Sequence, residues 1–332
     1  WGAARDAMSP GGKAVTTEFL GLNDTAKGFF YLYLCSGPSR TGDFAEQIKE
    51  LGTADSYVLN VDTLQGGYAH DLSSPVVASR IKQLAADPNC LGILATIPCS
   101  TWSAARFVQP GPEPVRDRTH PKGIPDSEGK ISASALKANS LAQNVIEITE
   151  AAMAHGAHVV FENPVSRGSD SQFAIEGREE HSSLWDLPVM KEFTERHGNL
   201  FVHFDQCRVG ASSMKTTALF CSASIYAQVK QRLGHLVCNH SSGHPPILGA
   251  DDQGGYSTKP AEQFTPELNR LLAESFLAPQ PASAGWLASI GSRIEPFSNR
   301  LFDTLSSVGL MAGLDAQEAE DPRTDPHEML RL

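Results

Sequence analysis

The stretch "GILATIPCSTWSAAR", residues 92–106, carries an apolar run up to Pro98 and then places a thiol, Cys99, at the start of a Ser/Thr-rich turn. A cysteine in such a place is a nucleophile, a ligand or a small buried hydrophobe. Three other residues with chemical potential stand in comparable positions. Gly37 follows "GFFYLYLCS", Asp62 closes "SYVLNV", and Glu162 follows "HVVF" with Asn163 behind it. Each has a plain structural reading when taken singly: a buried thiol, a strand-ending turn, a strand terminator, a polar strand-to-loop pair. Together they place a thiol and a carboxylate capable of acid–base work at successive strand ends.

The elements that must position these residues are legible from periodicity. Aromatic and β-favouring runs predict strands at 28–37, 56–62, 91–97, 158–163, 199–207 and 216–222. Helical spacing of apolar residues predicts helices at 43–52, 76–87 and 136–156, the first stopped by Gly52. Strands alternating with helices imply an α/β fold with a mostly parallel, Rossmann-like sheet covered on both faces. Ligands of such sheets bind beyond the carboxyl ends of the strands, which is where Gly37, Asp62, Cys99 and Glu162 fall. Residues 107–135 are rich in Pro, Gly and charge and read as a long lid or binding loop.

A chain of 332 residues is long enough for one large domain with a small satellite. Residues 1–27 read as a lead-in, 28–278 as the working domain, and 279–332 as a linker and acidic, partly ordered tail, with a marginal amphipathic stretch from Trp286 to Met311. The tail holds eight acidic residues against four Arg, and so carries part of the net charge of −11. That overall charge is not that of a generally basic nucleic-acid binder, but residues 203–244 hold four Lys/Arg against one Asp and leave room for a local basic face. No apolar run approaches the roughly 20 residues of a membrane span, and no signal sequence is visible. Six dispersed cysteines fit a reducing interior, hence an intracellular protein, nuclear in a eukaryotic host. The missing initiator Met and the acidic tail fit a piece of a longer polypeptide fused to further domains.

The motifs, taken in order, resemble those of the cytosine-5 DNA methyltransferases. They are "CSGP" after the first strand, "VD" ending the second, "HDL" at 70–72, "PCSTWS" at 98–103, "FENP" at 161–164, and "DQCRVGASSMKTTALFCS" at 205–222. "GGYSTKPAEQFTPELNRLLAESF", 254–276, is similar to the family's closing helix region, which returns to the cofactor pocket. The resemblance implies transfer of a methyl group from S-adenosyl-L-methionine to carbon 5 of a cytosine flipped out of double-stranded DNA. It assigns Cys99 as the nucleophile, Glu162 as the group on the base edge and Arg208 as an orienting residue. Ser36, Gly37, Pro38, Asp62, Asp71, Leu72 and Pro98 would line the cofactor. Ser100, Arg106, Arg116, Arg118, Lys122, Asn163 and Lys215 would meet nucleic acid, Asn163 also bracing the nucleophile loop. The chain departs from the family pattern at Tyr33, which stands at an acid position, at Pro38-Ser39-Arg40 in place of further glycines, and at Ile97 in place of a second proline. The target-recognition insert is reduced to about residues 223–253.

Other classes leave more unexplained. A cysteine hydrolase would pair Cys99 with His155 or His181, but would give Gly37, Asp62 and Glu162 no role. Amino-methylating enzymes of the same fold replace the cysteine with an aromatic residue. A non-catalytic methyltransferase-like module, binding nucleic acid or a partner, is the remaining alternative. In "HLVCNHSSGH", 235–244, Cys238, His240 and His244 are candidate metal ligands with His235 beside them. Their spacing matches no strong zinc template, so no metal is assigned and a polar or DNA-facing turn is expected. Cys207 and Cys221 are expected in the core.

Overall fold

A computed structural model of the chain describes residues 28–53, 56–109, 111–244 and 263–278. The lead-in 1–27, the tail 279–332, the end of the reduced insert and the start of the closing region lie outside the described residues.

Six strands form one sheet: β1 (Phe29–Leu34), β2 (Ser56–Val61), β3 (Cys90–Ala95), β4 (His158–Pro164), β5 (Phe201–Asp205) and β6 (Thr216–Cys221). Their order is β2-β1-β3-β4-β6-β5. β1, β2, β3 and β4 run parallel, while β6 is antiparallel to both β4 and β5. The sheet is therefore mixed rather than mostly parallel. Only ten residues, 206–215, separate β5 from β6. A parallel crossover needs a dozen or more, so this connection can only reverse the chain.

Helices cover both faces. α1 (Phe44–Leu51) starts where the Asp43 carboxylate accepts the Glu46 N–H, and it buries Phe44 and Ile48 completely. Full burial of side chains this size contributes about 1.5–3 kcal/mol each. α2 (Pro75–Ala85), α3 (Ala133–Met153) and α4 (Pro188–Arg196) pack on one sheet face through Ile81, Val145 and Phe193. α1, α5 (Tyr226–Leu233) and α6 (Pro266–Leu277) pack on the other through Phe44, Val229, Leu272 and Phe276. Gly92 in β3 leaves room for Phe276, since a Cβ there would sit 2.7 Å from its ring.

The chain order turns back at β1, with β2 on one side and β3 on the other. That is a topological switch point, where the crevice beyond the strand ends admits a ligand. No described helix is long and apolar enough to cross a membrane.

Candidate active site

The turn after β1 lies at this switch point. Cys35 takes a left-handed backbone (φ 57°), unusual for a residue with a Cβ, and Gly37 follows at φ 68°. A Cβ built on Gly37 meets nothing within 4 Å, so the glycine faces open space. Its N–H donates to Asp62 Oδ2 at 2.9 Å, and Asp62 Oδ1 caps the next turn by accepting the Leu64 N–H at 2.7 Å. An ionised carboxylate has about four acceptor positions, so these two bonds orient Asp62 and leave lone pairs for a ligand's hydroxyls. Gln65 clamps the same turn through Ser36 Oγ and the Gly37 carbonyl. Pro38, next in the turn, is exposed.

Asp71 and Leu72, expected at an adenine, are more enclosed than the sequence reading implied. Asp71 accepts from the Ser73 N–H and hydroxyl and pairs with Lys137 of α3 at 3.0 Å. Burial works to raise its pKa, but the Ser73 hydroxyl and Lys137 outweigh it and hold the carboxyl below its ordinary value. The Leu72 side chain belongs to the hydrophobic core, 2% exposed, so only its backbone is placed to border a ligand.

Beyond β3, Pro98 is exposed and Cys99 half-buried, opening a short turn over Ser100–Trp102. On the neighbouring strand Glu162 is buried, and Asn163 Nδ2 donates to the Ile97 carbonyl at 2.7 Å. This bond ties the β4 exit to the loop two residues before Cys99; Asn163 itself is 1% exposed, so its side chain is turned inward and is not placed to meet nucleic acid. Lys215, expected at nucleic acid, turns inward: its ammonium lies 3.5 Å from Glu162 Oε1. The Lys215 carbonyl accepts the Gln206 N–H, linking this pair to the turn that carries Arg208. Arg208 is exposed and donates to Asn239 Oδ1. Tyr33, at the departed acid position, is buried with its hydroxyl bonded to Thr96. Burial pushes it well above its ordinary pKa, and the charge of Glu162 adds to that rise.

Two of the loop cations need correction. Arg116 is 1% exposed and stacks 4.3 Å over Trp102. It donates to Thr101, the Pro121 carbonyl, Asn139 and the Ala135 carbonyl. Arg106 is also buried, donating to the carbonyls of Ser100 and Glu113. Arg106 bolts the loop to itself and Arg116 bolts it to α3 as well, instead of facing a phosphate. A loop with little secondary structure must satisfy its carbonyls somewhere, and a planar five-donor guanidinium does so compactly. Arg118 pairs with Ser169 and Asp170 on the surface, and Lys122 is exposed.

Neither histidine of the hydrolase reading can activate Cys99. His181 is 2% exposed, with Nδ1 accepting the Arg167 N–H and Nε2 donating to the Trp102 carbonyl, so both nitrogens are engaged. His155 follows α3 and bonds the Ala85 carbonyl; it precedes β4, at the opposite end of the strand from Glu162.

Cys207 is buried, as expected, but β5 ends at Asp205, so it sits in the following turn, with its sulfur close to the ligating atoms of Cys238, His240 and His244. Cys221 is fully buried in β6, as expected.

Comparison of the chain with protein-family models, curated proteins and solved structures gave no match.

Proposed function

We propose that the chain is a cytosine-5 DNA methyltransferase using S-adenosyl-L-methionine, with a Rossmann-like fold of that class. The observation that carries this reading is the Asn163–Ile97 bond, which ties the strand exit next to Glu162 to the loop that leads into Cys99. The crevice beside them fits the cofactor: Gly37 faces open space, and Asp62 is oriented with acceptor capacity to spare. Ser36, Gly37 and Asp62 would hold it, with Asp71 and the Leu72 backbone at its far end. When bound, it supplies an electrophilic methyl group.

The chain's own residues account for the rest. The Cys99 thiolate adds to carbon 6 of the cytosine, forming the S–C bond and moving the ring electron pair toward carbon 5 and nitrogen 3. Glu162, at the base edge, holds a proton on nitrogen 3 as that charge develops. Once carbon 5 carries the methyl group, it loses its hydrogen as a proton to water, and the returning electron pair expels the thiolate. Lys215 holds the Glu162 carboxylate in place, and exposed Arg208 and Lys122 remain as contacts for the phosphate backbone.

The test is trapping on duplex DNA containing 5-fluorocytosine, where fluorine at carbon 5 blocks the final elimination. A covalent adduct that needs S-adenosyl-L-methionine and disappears in Cys99→Ser is expected. No adduct across varied DNA sequences, together with no cofactor binding by calorimetry, would overturn the enzyme reading. DNA binding retained in that case would mark a non-catalytic module.

A further inference from the structure

A second cluster lies at the exit of β5, and the proposed reaction makes no use of it. The ligating atoms of Cys207, Cys238, His240 and His244 all fall within 4.8 Å of one another. Cys238 Sγ is 3.4 Å from His240 Nδ1 and 3.2 Å from His244 Nε2. The two imidazole rings stand edge to face, with centroids 5.0 Å apart and planes at 87°. Zinc binds thiolate sulfur at about 2.3 Å and imidazole nitrogen at about 2.0 Å, so a tetrahedral ion separates sulfur from nitrogen by about 3.5 Å. The observed separations match that edge length. Two thiols with two imidazoles are also a soft donor set that selects zinc over calcium or magnesium.

We propose that Cys207, Cys238, His240 and His244 hold a structural Zn2+ ion. The surroundings are built to present these ligands. The Asp205 carboxylate accepts the Cys238 N–H at 2.8 Å and the Thr216 hydroxyl at 2.6 Å, and the Asp205 N–H donates to the Leu236 carbonyl at 2.9 Å. These bonds hold the segment after α5 against the end of β5. Cys207 comes from the turn after β5 and the other three ligands from the segment after α5, so the ion would staple two parts of the chain that are distant in sequence. Four protein ligands close the coordination sphere and leave no position for a substrate, so the ion's role is to stabilise. It would fix Asn239, and through it Arg208, beside the Gln206–Lys215–Glu162 chain. The assignment stands apart from the methyltransferase reading, because it rests on the ligand geometry alone.

Titration of the reduced, metal-free full chain with Co2+ tests it. The expected result is the visible absorption of tetrahedral cobalt with thiolate-to-metal charge transfer, saturating at one ion per chain and displaced by Zn2+. His240→Ala and His244→Ala remove ligands outside the core and should abolish the spectrum, whereas His235→Ala, exposed in the same segment, should keep it. Cys238→Ser should halve the charge-transfer intensity or abolish binding. No tetrahedral spectrum from the fully reduced chain would overturn the proposal. So would a His235→Ala loss equal to that of His244→Ala, or a Cys207–Cys238 disulfide that persists when Zn2+ is present. None of these readouts depends on methyl transfer, so failure here is distinct from failure of the proposed reaction.

Discussion

Asn163 ties the exits of two neighbouring strands together. Its side-chain amide spans from β4, one residue after Glu162, to the Ile97 carbonyl, two residues before Cys99. The carboxylate alone can exchange a proton with the base, so Glu162→Gln keeps the shape and removes the acid–base function. Its expected effect is a fall of about 10²–10⁴ in turnover with DNA affinity retained, read by single-turnover methylation. A turnover near wild type would remove Glu162 from the mechanism. At this scale the sequence was informative wherever a residue closed an apolar run, as Gly37, Asp62, Cys99 and Glu162 do. It misled where a charge stood in a polar segment: nothing in the letters around Arg106 and Arg116 shows that their guanidinium groups are buried. Cys207 is buried as expected, but in a turn, because the strand before it ends two residues earlier than its apolar pattern suggests.

At the scale of elements, the strands were legible because aromatic and β-branched runs have few other homes. The direction of β6 was not read, although the ten-residue link before it carried the signal. α4 also went unread in "LPVMKEFTERHG". Pro188 at its first position, with Met190 and Phe193 three residues apart, would have shown it. The loop between β3 and α3 is an element in its own right, nailed to α3 through Arg116. Burial pushes the Arg116 guanidinium down to about 10, so it stays cationic at neutral pH. Arg116→Met leaves Thr101, Asn139 and two carbonyls short of a donor. The expected cost is about 2–4 kcal/mol by urea denaturation, with the salt dependence of DNA affinity unchanged. Lys122→Ala should do the reverse, lowering the slope of log affinity against log salt by about one while stability holds. A reduced salt slope in Arg116→Met with wild-type stability would restore Arg116 as a phosphate contact.

At the scale of the molecule, acid sensitivity follows from buried imidazoles. Burial lowers the pKa of His155, His158, His181 and His203, and brings His158 to about 4. A histidine that stays neutral when folded but protonates near 6.5 when unfolded contributes its full stability above 6.5. That contribution is lost as pH falls from 6.5 toward 4, because the unfolded state then binds more protons. Each pH unit across that window removes up to about 1.4 kcal/mol for a group such as His158. Urea midpoints at pH 7 and pH 4.5 should therefore differ clearly, and His158→Gln should flatten the difference. Equal midpoints would show that these rings are hydrated.

The last described helix closes the first. Phe276 of α6 packs edge-on against Tyr31 and Phe44, and Asn269 donates to the Gly42 carbonyl at 2.9 Å. During synthesis, therefore, β1, β3 and α1 leave the ribosome long before their covering helix is made. The part of the sheet face around Tyr31 lacks its Phe276 contact until residues 266–277 emerge, although α1 and α5 precede them. The contacts among Tyr31, Phe44 and Phe276 form late in synthesis, and a nascent chain stalled before Pro266 is a natural client for chaperones that shield apolar surface.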